Sequence, residues 1–289
     1  MEGNMQMFAP MCLLLCWMLP VCSMKISFIV SLPEANLGIQ MNMVETAVDD
    51  MYIGCNETMT TMIKDKYFKE ENTGKFADVW KRAQRFVEKR LKNRDKGDEA
   101  LTKDHMQAIC VYTAEYPKFY GTFNDEIQKG MSTYRTSFPF HSLHFWLTSA
   151  VQILNNNKNC HTSYRRTHSQ YSGNVNQIMR FGFFASSSYK TTQYCFGKKT
   201  CFKIKTCSGA FLKHYPCLGK EEQEVLIPPY EKFKIIKKTK GLYVEGLVDC
   251  EVVYILESAG VHSNLNCNAA YERPMVDQLV ERSETILVW

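Results

Sequence analysis

No stretch of this 289-residue chain is apolar over the ~20 residues that a membrane-spanning helix needs. The first apolar run, Phe8 to Cys22 (FAPMCLLLCWMLPVC), stops after 15 residues and is broken by Pro10 and Pro20. It reads as the h-region of a secretory signal peptide spanning residues 1–23, or reaching about residue 35 if Ile26–Leu32 belongs to it. Its n-region is atypical, because Met1 to Met7 holds Glu2 and neither Lys nor Arg, and an uncleaved anchor is the alternative. Charge of one sign is scarce as well. With 35 basic and 30 acidic residues the formal balance is 35 − 30 = +5, which fits an anionic ligand but does not argue for nucleic acid. Hydrophobic residues at 45% and charged residues at 22% exclude a mainly disordered chain. There is no CxxC pair and the seven His are scattered, so no metal site is expected. A glycolipid anchor is not expected either, since Tyr271–Trp289 ends on a short ILVW rather than ten or more apolar residues. The expected product is secreted, or held at the cell surface by something else, with no transmembrane segment beyond the leader.

Cysteine, by contrast, is plentiful. Of twelve, Cys12, Cys16 and Cys22 fall in the leader, leaving 12 − 3 = 9. In an oxidising compartment most should pair, and an odd number leaves one thiol free or intermolecular. Asn56-Glu57-Thr58 is a glycosylation sequon on the same secretory reading.

There is no internal repeat and no low-complexity linker, yet the chain divides by pattern. Between about Asn56 and Asn155 the signals are helical. Phe76, Val79, Trp80, Ala83, Phe86, Val87 and Leu91 recur at three- and four-residue steps over Lys75–Leu91, a core-facing stripe. Asp98–Tyr112 and Asn124–Thr133 are shorter candidates, and Leu143–Leu154 is apolar nearly all round, as a buried helix is. Past Asn159 short β-type runs follow at Ser163–Thr167, Gln177–Ala185, Cys201–Cys207, Glu224–Ile227, Lys232–Lys238 and Glu251–Glu257, bounded by Gly, Ser, Asn and Pro. The lysines Lys232, Lys234, Lys237, Lys238 and Lys240 read as a solvated strand face rather than a nucleic-acid track. Helices first and strands second predict an α+β fold. A single domain over 40–271 is expected, helical to about 157 and β-rich from about 158, followed by a tail over 272–289.

Three segments of the β half carry chemistry. Tyr164-Arg165, on a strand after Cys160, can present a fixed guanidinium fork to phosphate. Phe181-Gly182-Phe183-Phe184 leads into Ser186-Ser187-Ser188, a stacking wall followed by hydroxyl donors. Glu222 and Glu224 alternate in extended chain and so face one side, about 6–7 Å apart, where each charge disfavours ionisation of the other. The apolar run and Pro228-Pro229 that follow set this pair apart from a plain acidic loop.

In this order the segments resemble the vertebrate-type ecto-ADP-ribosyltransferases with the R-S-ExE signature. Tyr164-Arg165 matches the family's YR, Phe181-Gly182 with Ala185 to Ser188 its F-G-x-F-x-S-x-S segment, and Glu222 to Pro229 its ExE-VLIPP run. Leu143-His144-Phe145-Trp146-Leu147-Thr148 is similar to its LHFLLT helix and Asn266-Cys267 to its late NC. The chain departs from the family at Arg166, where Gly is usual, and in the additional Cys195, Cys201, Cys217 and Cys250. The resemblance implies a helical portion packed on a β-rich core with an NAD cleft between two small sheets. It implies NAD as co-substrate, arginine-bearing protein targets, a monomer, and bridges Cys55–Cys267 and Cys160–Cys207. It makes Arg165, Ser186 and Glu224 catalytic, Glu222 the acceptor-binding residue, and Tyr164, Arg165, Phe184, Ser186 and Glu224 the NAD contacts, with both glutamates in an open cleft. No GxGxxG follows a strand, so a Rossmann mode of NAD binding is not expected. NAD glycohydrolase action at the same site, or an inactive secreted binding protein on this scaffold, are the alternatives.

Overall fold

The computed structural model describes residues 38–271 except 115, 117, 118, 157, 158, 218 and 219. The expected leader and C-terminal tail lie outside the described residues. Strand β1 (Ile39–Gln40) is the first element among the described residues, followed by helix α1 (Asn56–Met62), which runs through a π-helical turn, Ile63–Tyr67, into α2 (Phe68–Glu71). Helices α3 (Gly74–Lys92), α4 (Lys103–Thr113), α5 (Phe119–Lys129) and α6 (His141–Leu154) complete the helical half.

Each helix has a local cause. The predicted stripe of α3 buries Phe76, Val79, Trp80, Ala83 and Val87. Phe86 instead stays 44% exposed, because at 3.6 residues per turn it falls roughly 80° off the stripe's centre; the Arg90 guanidinium lies over its ring at 5.7 Å. Helix α4 begins on a capping box. The Thr102 hydroxyl accepts from the His105 backbone N–H, and His105 Nδ1 accepts from the Thr102 N–H at 3.0 Å. The sequence places a helix over Asn124–Thr133, but α5 begins and ends earlier, and residues Gly130–Thr133 form a 3₁₀ turn. Helix α6 is buried on every side over His141–Val151, and its Trp146 stacks on Trp80 at 4.8 Å.

The second half holds β2 (His161–Thr167), β3 (Tyr171–Ser172), β4 (Ile178–Arg180), β5 (Ala185–Ser188), β6 (Thr200–Thr206), β7 (Ala210–Phe211), β8 (Glu224–Ile227), β9 (Glu231–Thr239) and β10 (Val252–Val261). β1 and β3 form a small parallel pair, which no sequence signal announced. The other eight strands run in the order β4-β9-β10-β6-β2-β5-β8-β7. The single run expected over Gln177–Ala185 is two strands, because Gly182 adopts φ +67 between them, and a Cβ there would sit 2.6 Å from Val44. β2 and β5 pair at one register position only, Tyr164 opposite Ser188. The two sheets expected around the cleft are therefore hydrogen-bonded into one, hinged at that pair. One face of the sheet, through Phe202, Ile204, Phe233, Ile235, Tyr254 and Leu256, joins the helices in a common core.

Four disulfides are described: Cys55–Cys267, Cys110–Cys217, Cys160–Cys207 and Cys201–Cys250. Cys195 is also disulfide-bonded, so it is not the odd thiol expected from the count. Near Cys55–Cys267, two buried aspartates draw the ends of the domain together. Asp49 accepts from the backbone N–H of Asn264 and Leu265 and pairs with buried Arg180 at 2.6 Å. Asp50 accepts from the N–H of Tyr52 and Cys267 and from the Tyr134 hydroxyl. Burial pushes the Asp50 carboxyl up to about 6 against those hydrogen bonds, which act to lower it.

Candidate active site

Arg165 and Ser186 line a cleft enclosing about 1010 Å³ of space, open solvent included. Its walls include Phe181, Phe183, Tyr171 and Phe196, with Asn42, Asn124, Gln128, His168 and Ser169 supplying polar groups. Arg165 sits on the core face of β2, opposite Phe202 in register. Its Nη1 donates to the Ser186 carbonyl oxygen at 2.6 Å, and its guanidinium lies 5.7 Å from the Phe183 ring centre. Its Nε is buried without a partner among the described residues, as is Asn124 Oδ1. An unsatisfied guanidinium donor on a cleft wall is costly unless an anion or ordered water meets it.

The three serines of β5 divide by direction. Ser186 faces the cleft. Ser187 Oγ points the other way and lies 2.8 Å from both Ser163 Oγ and the Val225 carbonyl oxygen, tying three strands together. The Ser188 hydroxyl donates to the Glu222 carbonyl oxygen and accepts from the Lys190 N–H at 2.8 Å. Ser188 stands opposite Glu224, and Ser186 opposite Leu226. Ser186 and Glu224 are therefore diagonal neighbours on one face of the β5–β8 pair. The Arg165 side chain is anchored on the Ser186 carbonyl, so β5 links positions that lie far apart in the sequence.

Glu222 and Glu224 are not joined by extended chain as expected. Lys220–Glu222 is a 3₁₀ turn, and Gln223 takes the left-handed region at φ +50. Both carboxylates are largely buried, 5% and 6% exposed, rather than set in an open cleft, and neither belongs to the lining that Arg165 and Ser186 share. Beneath this site the Tyr112 hydroxyl donates to the Phe184 carbonyl. Burial, first of all, holds that phenol well above its ordinary range, Tyr120 adds to the effect, and the Glu224 charge acts in the same direction.

Two expected NAD contacts are placed elsewhere. Phe184 is fully buried, stacked on Phe123, and Phe183 takes the cleft wall in its place. Tyr164 lies on the outer face of β2, packed against Cys201, Val244, Leu247, Cys250 and Val253. The reason is the two-residue period of a strand: where Arg165 faces the cleft, Tyr164 cannot. Asn42, Asn124, His168 and Phe196 were missed by sequence reasoning and carried no signal, whereas Phe181 and Phe183 belong to the stacking wall read from the aromatic–serine segment. The expected glycan acceptor, Asn56, is exposed at the start of α1. No group of three or more metal-ligating side chains is found among the described residues.

Arg166, the departure beside Arg165, faces outward. Its Nη1 and Nη2 each lie 2.9 Å from a carboxylate oxygen of Asp249, and Nε donates to the Thr191 carbonyl oxygen at 2.8 Å. The guanidinium stands 4.7 Å over the Tyr194 ring. A small residue here would remove one tie between the loops 189–199 and 240–251, which the Glu251 N–H to Lys198 carbonyl bond and the Lys199–Glu251 ion pair also join.

Known proteins resemble this chain in sequence and in fold. The profile of the family described as NAD:arginine ADP-ribosyltransferase matches residues 41–245. The erythroblast NAD(P)(+)--arginine ADP-ribosyltransferase of Gallus gallus is 31% identical over 242 residues, covering 81% of this chain and 77% of the relative. The ecto-ADP-ribosyltransferase 4 of Mus musculus is 32% identical over 252 residues, covering 81% and 78%. The GPI-linked NAD(P)(+)--arginine ADP-ribosyltransferase 1 of Homo sapiens is 31% identical over 248 residues, covering 79% and 74%. Among solved structures, the eucaryotic mono-ADP-ribosyltransferase ART2.2 superposes with a TM-score of 0.66 at 27% identity, covering 79% of this chain and 98% of that one. A mutant of ART2.2 in complex with NAD gives 0.67 at 25% identity over the same shares. The chain belongs to the NAD:arginine ADP-ribosyltransferase family.

Proposed function

We propose that this protein is a secreted or cell-surface mono-ADP-ribosyltransferase that moves ADP-ribose from NAD to arginine side chains of proteins and releases nicotinamide. The observation that carries this reading is the convergence of Arg165, Ser186 and Glu224, three elements of the family signature, around β5. The relatives' names and the disulfides support an extracellular setting.

The reaction breaks the bond between the nicotinamide nitrogen and C1′ of the ribose, and nicotinamide leaves with the electron pair. Positive charge grows on the ribose as in glycoside cleavage. The Glu224 carboxylate, fixed at the start of β8 and shielded from water, stabilises that charge more in the transition state than in the ground state. Arg165 meets the diphosphate with the donors that its bond to Ser186 leaves over, and the Ser186 hydroxyl orients the ribose beside Glu224. A guanidinium nitrogen of the acceptor then attacks C1′ and gives up a proton. Glu222 binds the acceptor and assists that loss, which is needed because free arginine has a pKa of at least about 12. The protein acts as a monomer.

The test is incubation of purified protein with labelled NAD, with and without agmatine. Labelled agmatine supports the transferase. Free ADP-ribose alone would assign NAD glycohydrolase action to the same site, and no nicotinamide release would leave an inactive binding protein.

A further inference from the structure

The sheet has a second face. On its outer side, strand register places side chains in two rows that cross four strands. Tyr164, Lys203, Ile255 and Lys237 stand opposite one another in turn, and so do Thr162, Lys205, Glu257 and Lys234. Lys205, Lys234 and Lys237 are exposed and Lys203 is half-buried, whereas Phe202, Ile204, Ile235 and Leu256 between them point into the core. None of these four lysines makes an ion pair among the described residues; the lysines that do are Lys129, Lys199 and Lys213. Glu257 is the one acid in the two rows. Neighbouring strands lie about 4.8 Å apart and alternate residues about 6.6 Å apart. The four lysines are thus rooted about 10 Å apart across the strands, with Lys203 and Lys205 about 7 Å apart along β6 and Lys234 and Lys237 three residues apart on β9, where the register shifts.

We infer that this outer face binds a linear sulfated polysaccharide. Four lysines set around a single acid, Glu257, leave a net excess of like charge, and an extended polyanion relieves that repulsion while releasing its own counter-ions. Lysine suits sulfate as a point charge that needs no bidentate geometry. Duplex nucleic acid fits poorly, because a flat sheet face presents no element that could enter a groove, and the disulfides belong to an oxidising compartment. A membrane surface fits poorly too, because the rows offer only Tyr164 and Ile255 as aromatic or apolar groups, and both are half-buried. Arg165 and the cleft lie on the opposite face, so occupancy of the array leaves the cleft open.

The experiment uses immobilised heparin as the probe and the whole secreted protein. A variant carrying Lys203→Gln, Lys205→Gln, Lys234→Gln and Lys237→Gln is compared with one that neutralises four exposed cations of α3, Lys81, Arg82, Arg85 and Lys89, where Asp78 and Glu88 are interspersed. The sheet variant is expected to elute at clearly lower salt. The slope of log affinity against log salt should shrink by roughly three, since each phosphate-like contact contributes about 0.7–0.9. The α3 variant should stay near the parent, and Glu257→Gln should raise the salt needed for elution. An α3 variant that loses as much as the sheet variant would overturn the site. Equal competition by duplex DNA of matched charge, or equal capture by anionic phospholipid vesicles, would overturn the polysaccharide class.

Discussion

Arg166 and Asp249 grip each other through two parallel hydrogen bonds of 2.9 Å, on the face of β2 turned away from the cleft. The arginine is almost fully buried and the carboxylate about one-third exposed. The Arg166 hydrogen bond holds the Asp249 carboxyl below its usual range. With Cys201–Cys250 alongside, the pair fixes the loop 240–251 against the loop 189–199, and the latter carries Phe196 to the cleft wall.

Asp249→Ala is expected to be the more damaging half of this pair. It strands a buried guanidinium, and with the carboxylate one-third open to solvent the cost is about 2–3 kcal/mol, less than for a fully buried pair. Arg166→Met keeps the stem packed and leaves a carboxylate that water reaches, for about 1–3 kcal/mol. Urea unfolding of both variants checks the order. Because Phe196 depends on the loop, both should also raise KM for NAD more than they lower kcat; a fall in kcat alone would mean that the loop does not shape the cleft.

Non-reducing peptide mapping should return Cys55–Cys267, Cys110–Cys217, Cys160–Cys207 and Cys201–Cys250. Replacing Cys201 and Cys250 together by Ala reopens a loop with a sequence separation of 49, for which the chain-entropy estimate is about 4 kcal/mol. Calorimetry of the double variant reads that loss. Cys160 found joined elsewhere would undo the placement of Arg165 beside Ser186, because that bridge fixes the start of β2 against the end of β6.

The stripe of α3, the all-round apolarity of α6 and the strand at Glu224–Ile227 were legible because each rests on local periodicity. What was not legible depends on partners distant in sequence. The β1–β3 pair is two residues long and carries no pattern. The break at Gly182 is set by Val44, far along the chain. The signature residues could be named, but their directions could not. Tyr164 and Arg165 are adjacent letters on opposite faces of one strand, and the left-handed Gln223 re-aims Glu222 in a way that no spacing rule contains. Cleft residues such as Asn124 and Phe196 have no motif at all, and tertiary folding alone brings them in.

Acid should weaken the fold through His105, which burial depresses to about 4 from an ordinary 6.5. Between those values the unfolded chain binds a proton there and the folded chain does not, so stability falls as pH drops from about 6.5 towards 4. Gln at the same position keeps the capping box and removes the titration. His105→Gln should match the parent at pH 7 and exceed it by about 2 kcal/mol at pH 5, taking 1.4 kcal/mol per pH unit. Urea unfolding at both pH values measures the difference. Equal losses in the two proteins would mean that His105 is not held neutral. Asp50, raised to about 6, works the other way, since its folded form gains a proton as pH falls.

The two glutamates should separate the steps of the reaction. Glu224→Gln keeps shape and removes the charge aimed at the ribosyl cation, so it should abolish both arginine transfer and NAD cleavage. A loss of about 2.7–4 kcal/mol, roughly 100- to 1000-fold, is the scale for removing one preorganised electrostatic contact. Glu222 serves the acceptor, so Glu222→Gln should lose transfer to agmatine while nicotinamide release continues. Both carboxylates are largely buried, and the substitutions were chosen to be isosteric for that reason. Glutamine retains the carbonyl acceptor and adds an amide donor, so both variants should be secreted and melt within a few degrees of the parent. Label transfer to agmatine, followed together with nicotinamide release, reads both steps in one reaction. If Glu224→Gln releases nicotinamide at close to the parental rate, another group stabilises the cation. If Glu222→Gln loses nicotinamide release as completely as Glu224→Gln does, the two carboxylates act as one unit and the acceptor role of Glu222 is wrong.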